Sequence, residues 1–153
     1  MFGNPSLTTR ITIGKLTGLI FGLVGFFMIP SFMPELPEMM RWGFLLWYMM
    51  LGAIIGVFGV YTFHPILKFS MPWWFLGPWI GGWMNFILTL FIFNNLSIAM
   101  VNLFGPKGSL MAFSPDSIML SPFWFVFEGI IFGLIVGYLA SKFGGEGAET
   151  ARN

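Results

Sequence analysis

One acidic residue, Glu128, sits inside the long apolar run 123–141. A carboxyl held about one and a half helical turns, roughly 8 Å, inside such a run is costly unless it is paired, hydrated or protonated. A protonated carboxyl would itself donate a hydrogen bond. The amides that could meet it are Asn85, Asn94 and Asn95, all within the apolar run 75–101. Two further groups could titrate or steer charge at the ends of apolar runs: Lys15, and His64 just before Pro65. Lys15 reads most simply as a side chain that snorkels to headgroups. His64 reads as an interfacial anchor, or as a titrating group at a cytoplasmic mouth.

Little other chemistry is on offer. The chain has no cysteine and one histidine. It therefore has no disulfide, no thiolate nucleophile and no thiolate metal site, and no metal or cofactor is implied. Nucleophile-elbow, P-loop, dinucleotide and His-Glu-x-x-His patterns are all missing, so no catalytic residue is assigned and an enzyme is not expected. Seven Lys/Arg against six Asp/Glu leave no basic field for nucleic acid.

The elements that must position these groups follow from composition. Among 153 residues, 57% are hydrophobic and 8% charged, against about 25% charged in soluble chains. A bilayer span needs about 20 mostly apolar residues. Four runs qualify, at 14–30, 43–63, 75–101 and 123–141. They are apolar on every face rather than alternating, which excludes a barrel and leaves helices. The first run lacks a small-x-small cleavage pattern after it and is read as a retained span. The expected fold is all-α: one domain over 1–153, with four transmembrane helices in a compact glycine-packed bundle and a short polar, mobile tail at 144–153.

Turn residues separate the runs. They are Pro30, Pro34 and Pro37, then His64-Pro65 and Pro72, then Gly105-Pro106 through Pro122. The last of these connections is unusually apolar, as expected for a segment lying in the interface or on a neighbour. Four spans put both termini on one side with Arg10, Lys15, Lys68, Lys142 and Arg152, and leave Arg41 and Lys107 on the other. The positive-inside rule then predicts cytoplasmic termini in a cell or inner membrane. Trp73, Trp74 and Trp79 with Tyr61 and Tyr138 fall near the inner interface, and Trp42, Trp47 and Trp124 near the outer one.

Glycine spacing is the most specific pattern. The first run carries Gly14, Gly18, Gly22 and Gly25; the second, Gly52, Gly56 and Gly59; the fourth, Gly129, Gly133 and Gly137. On the third, Gly77 and Gly81 lead into Asn85 and Thr89. Steps of three and four place these on one helix face. Lipid is as apolar as leucine, so helices in a bilayer gain from close backbone approach, which glycine permits. Packing is the expected role of the stripes, and lining a pore or letting helices slide is the alternative. At 100° per residue Glu128 points away from the Gly129 stripe, alongside Trp124, Phe132, Ile135 and Leu139, so the last helix needs a glycine contact on one face and a polar partner on another. Two functions fit. The first is a structural or accessory subunit, with the bilayer and either further copies or other membrane subunits as partners. The second is a small channel or transporter with its polar site at Glu128 and the third-run Asn residues.

Overall fold

A computed structural model describes residues 6–34, 36–64, 66, 68–104 and 121–151. The apolar connection 105–120, with Lys107, lies outside the described residues, as do Glu35 and Pro65. The described chain is helical: α1 (Leu7–Phe32), α2 (Glu38–Phe58), α3 (Trp73–Phe91), α4 (Phe93–Phe104) and α5 (Trp124–Gly144), followed by a short 3-10 turn, Ala148–Ala151. Three of these helices, Leu7–Ser31, Glu38–Phe58 and Trp124–Gly144, are long and apolar enough to cross a membrane. The chain is a helical membrane protein.

Several boundaries differ from those expected from apolarity. Helix α1 begins at Leu7, behind Ser6 in the N-cap position, so Arg10 and Lys15 lie within it. It also continues through Pro30 to Phe32, because a proline in the last turn deprives the helix of only one late hydrogen bond. Helix α2 stops at Phe58 rather than reaching 63. The run 75–101 is not one helix. It breaks at Ile92, whose φ of −119° and ψ of 28° lie off the helical values, although Ile92 N–H still donates to Leu88 and Leu96 N–H to Ile92. The break falls just before Asn94 and Asn95, residues with poor helix propensity.

The helices pack as two antiparallel pairs laid against each other. In the first, a Cβ built on Gly14 would overlap the Gly52 carbonyl, one on Gly18 the Tyr48 carbonyl, and one on Gly22 the Leu45 backbone. Partner numbers fall as the α1 numbers rise, so α1 and α2 run in opposite directions. In the second pair, Gly77 meets Gly133 and Gly81 meets Gly129 in the same way. Gly137 approaches Trp73, where an added Cβ would lie 3.0 Å from the carbonyl oxygen. At these positions even a methyl group would have to push backbone aside. Gly25 and Gly43 are different: a Cβ on Gly25 would meet only the Ile29 side chain, at 4.0 Å, and one on Gly43 would meet nothing within 4 Å. Between the pairs, Phe21, Tyr48 and Phe132 form a three-ring core with centroids 5.1–5.2 Å apart.

One end of the bundle collects the start of α1, the ends of α2 and α5, and the start of α3. Ser6 N–H donates to the Gly144 carbonyl at 3.0 Å and Gly147 N–H to Gly59 at 3.3 Å. The tail was expected to be loose. Through its described residues it instead folds back on α2, and Thr150 is fully buried. The 59–72 connection is a small hairpin with a bridge between Phe63 and Ser70. Lys68 takes its left-handed turn position, with φ of 52°.

Candidate functional site

A polar cluster lies where α2, α3 and α5 meet, with Asn85 at its centre. Asn85 continues the face of α3 that carries Gly77 and Gly81, and it is completely buried. Its Oδ1 accepts from Trp47 Nε1 of α2 at 3.1 Å. An indole nitrogen only donates, so this contact fixes which end of the amide is oxygen. The Nδ2 end then donates to Glu128 Oε2 at 2.7 Å and to the Phe125 carbonyl at 3.0 Å, both on α5. The Tyr48 hydroxyl is a longer third neighbour at 3.3 Å. Tyr48 O–H itself donates to the same Glu128 Oε2.

Local sequence explains how these side chains reach one another. Tyr48 stands one turn before Gly52 on the glycine face of α2, so the contact with Gly14 and Gly18 that draws α1 in also turns Tyr48 inward. Gly129 makes room for Asn85: a Cβ at 129 would lie 2.7 Å from Asn85 Cβ. Thus the glycine face of α5 and its Glu128 face adjoin, and Asn85 touches both.

All the donors in the cluster are committed. The Trp47 N–H goes to Asn85, the Tyr48 O–H to Glu128, and the two Asn85 N–H groups to Glu128 and Phe125. Both bonds to Glu128 fall on Oε2. Among the described residues Glu128 Oε1 accepts no hydrogen bond, and no Lys, Arg or His pairs with the carboxyl. Glu128 and Tyr48 also line a cavity of about 270 Å³ whose other walls are apolar, among them Phe21, Val24, Met28, Phe44 and Phe125. Val24 and Met28 are exposed on the outer surface of α1, so the cavity opens sideways at that helix.

The other candidate residues lie elsewhere. Asn94 is exposed on α4, and Asn95 Nδ2 lies 3.8 Å from Met40 Sδ on α2. Neither joins Glu128: Asn85 already stands level with it, and Asn94 and Asn95 follow nine and ten residues later, about 13–15 Å farther along the helical path. Lys15 is exposed roughly two turns into α1. His64 stacks on Phe69 with centroids 5.7 Å apart in the 59–72 hairpin, and its Nδ1 accepts from Ile66 N–H at 3.3 Å. Lys15 adjoins Gly14, which packs on Gly52 one turn from Tyr48, whereas His64 belongs to the end of the bundle far from the cluster. Gly56 and Gly59 lie there too, against Arg10.

Arg10 is the residue that sequence reasoning missed. It was counted only as an interfacial charge, yet its side chain is buried. Nε donates to the Gly56 carbonyl at 2.9 Å, and Nη1 donates to Ser141 Oγ at 3.2 Å and to the Gly145 carbonyl. A cation therefore sits on the carbonyl-rich ends of α2 and α5, where the helix dipoles favour it. Glu146, close enough to attract Arg10 electrostatically, accepts from Trp73 N–H at 2.8 Å and so places a carboxylate at the start of α3. Ser6 ahead of Leu7 was the signal available, since a helix starting there puts Arg10 one turn inside it.

No protein-family signature, characterised protein or solved structure matches the chain. The functional reading therefore rests on the geometry alone.

Proposed function

We propose that the protein is a four-span integral membrane protein that holds a small, largely apolar solute at Glu128, as a transporter or solute-binding membrane protein does. The observation that carries this reading is the junction of an apolar, sideways-opening cavity with a carboxyl that has one oxygen unengaged. Ligand sites commonly combine mostly apolar walls with a few placed polar groups, and an acid at membrane depth marks a site more often than a surface accident.

The fourth span in this reading is α3. It carries no charged residue, and its 19 residues reach about 28 Å, close to the thickness of the hydrocarbon core. Its hydropathy is lowered by four tryptophans, three glycines and Asn85, all of which suit interfaces or helix contacts rather than water. Cytoplasmic termini remain the orientation that the Lys/Arg distribution favours.

The accessory-subunit reading drew on glycine faces available to other subunits. The stripes at Gly14–Gly22 and Gly52–Gly56, and those at Gly77–Gly81 and Gly129–Gly137, face each other within the chain. What that reading retains is Gly43, which has nothing within 4 Å and lines an apolar groove with Met39, Met40, Trp47 and Leu88. Native mass spectrometry of gently extracted protein would reveal a second copy or a partner seated there.

The solute-site reading is tested by thermal unfolding of the protein in lipid nanodiscs with a set of small aromatic solutes. At least one should raise the wild-type midpoint, and Val24→Trp, which fills the cavity from its rim, should abolish the rise. If no solute stabilises the wild type, or if Val24→Trp responds equally, the reading fails.

A further inference from the structure

Resting on the solute-site reading above, we propose that the ligand of the Glu128 cavity is an organic cation: a protonated amine on a compact apolar body, its nitrogen donating to Glu128 Oε1. Every donor in the cluster is already committed to a protein acceptor, namely the Trp47 N–H, the Tyr48 O–H and both Asn85 N–H groups. The unused capacity lies at Glu128 Oε1, which accepts as a carboxylate and donates as the neutral acid. A ligand that brings only acceptors, such as a ketone or an ether, finds no donor against the carboxylate and gains a single neutral hydrogen bond against the acid. A ligand that brings an N–H finds a partner.

Charge selects the cation over a neutral donor. Two donors converge on Oε2, and no Lys, Arg or His among the described residues pairs with the carboxyl. If Oε1 carries the proton, a neutral amine takes it up on binding, and if it does not, an ammonium donates to it, so both routes end in ammonium against carboxylate. In an apolar surrounding, an ammonium offsets that carboxylate through a charge-assisted hydrogen bond, the strong kind. The walls suit such a ligand as well. The rings of Phe21, Phe44, Tyr48 and Phe125 line the cavity, and aromatic faces attract cations. The cavity, at about 270 Å³, is sized for one ring and a short chain rather than a lipid. Its opening beside Val24 and Met28 lets an amphiphile arrive from the bilayer, without a water-filled path.

The test compares three molecules of nearly the same shape, 2-phenylethylamine, 2-phenylethanol and propylbenzene, binding to the protein in phosphatidylcholine nanodiscs. Neutral lipid avoids enrichment of the amine at an anionic surface, and empty nanodiscs give the background. The amine should bind at least about tenfold more tightly than the alcohol or the hydrocarbon, and Glu128→Gln should bring the three within about twofold of one another. Equal binding of all three to the wild type, or an amine preference that survives Glu128→Gln, overturns the cation inference while leaving an apolar solute site in place. Binding of none of them, with no response to Val24→Trp, overturns the solute-site reading too. Should Glu128→Gln fail to fold, the wild-type ranking of the three molecules still decides.

Discussion

Arg10 Nε donates a 2.9 Å hydrogen bond to the carbonyl of Gly56, so a residue in the first turns of α1 satisfies the last turn of α2. The same guanidinium reaches Ser141 and the Gly145 carbonyl at the end of α5. Helix ends leave carbonyls without intrahelical partners, and in a bilayer water is scarce, so one forked cation serving two helix ends is an economical solution. Gly59 and Gly144 are part of it: a Cβ at either position would overlap the Arg10 side chain.

Arg10→Met keeps the length of the side chain and removes its donors. Two helix-end carbonyls and Ser141 then lose a charged partner, and each charge-assisted bond is worth about 1.5–3 kcal/mol. The expected loss is roughly 2–4 kcal/mol, read as the unfolding midpoint in an SDS titration of mixed micelles followed by circular dichroism. Arg10→Lys should recover only part of it, because an ammonium lacks the planar fork. Glu146→Gln should cost less than either, since the residue is exposed and surface charges contribute little. A midpoint for Arg10→Met equal to wild type would show that the clamp contributes nothing to stability.

The glycines separate into two groups with opposite expectations. At Gly14 and Gly133 an added methyl would overlap the Gly52 and Gly77 carbonyls. Gly14→Ala and Gly133→Ala should therefore each destabilise by about 1–3 kcal/mol, the usual range for overpacking. At Gly43 nothing lies within 4 Å, and Gly43→Ala should be neutral or stabilising by up to about 1 kcal/mol through helix propensity. The same SDS titration distinguishes these. If all three variants behave alike, the close helix contacts are not what the glycines provide.

The apolar runs at 14–30, 43–63 and 123–141 were legible because a bilayer imposes a length and an apolarity that composition alone reveals. The helix starting at Leu7 was not, because Thr8, Thr9 and Arg10 look like a flank until the partners of Arg10 at Gly56 and Gly145 are known. The site was half legible. Glu128 stood out as an acid in an apolar run, and the spacing of Gly77, Gly81 and Asn85 set Asn85 on a packing face. Spacing could not choose Asn85 over Asn94 and Asn95, since that depends on which turn of α3 lies level with Glu128 across the Gly81–Gly129 contact. Tyr48 could have been found, being one turn ahead of Gly52 and two ahead of Gly56. Trp47 was assigned to the interfacial belt by position, although its indole N–H turns in to Asn85.

Because the chain has no cysteine, single introduced cysteines report topology without background. Glu38 lies at the start of α2, Ser70 in the hairpin before α3, and Glu146 just after α5, and all three are exposed. Four spans with cytoplasmic termini put Ser70 and Glu146 together on the inside and Glu38 outside. The positive-inside rule acts on the chain during insertion, so Arg10 contributes to orientation even though the folded protein later buries it. Glu38→Cys should react with a membrane-impermeant maleimide in intact cells, whereas Ser70→Cys and Glu146→Cys should react only after permeabilisation. The reverse pattern would keep the four spans and invert them. Labelling of Glu38→Cys and Ser70→Cys from the same side would mean that α2 does not cross. Labelling of Ser70→Cys and Glu146→Cys from opposite sides would break up the end of the bundle where Arg10 and Glu146 meet, and no arrangement of these helices in one bilayer would then preserve it.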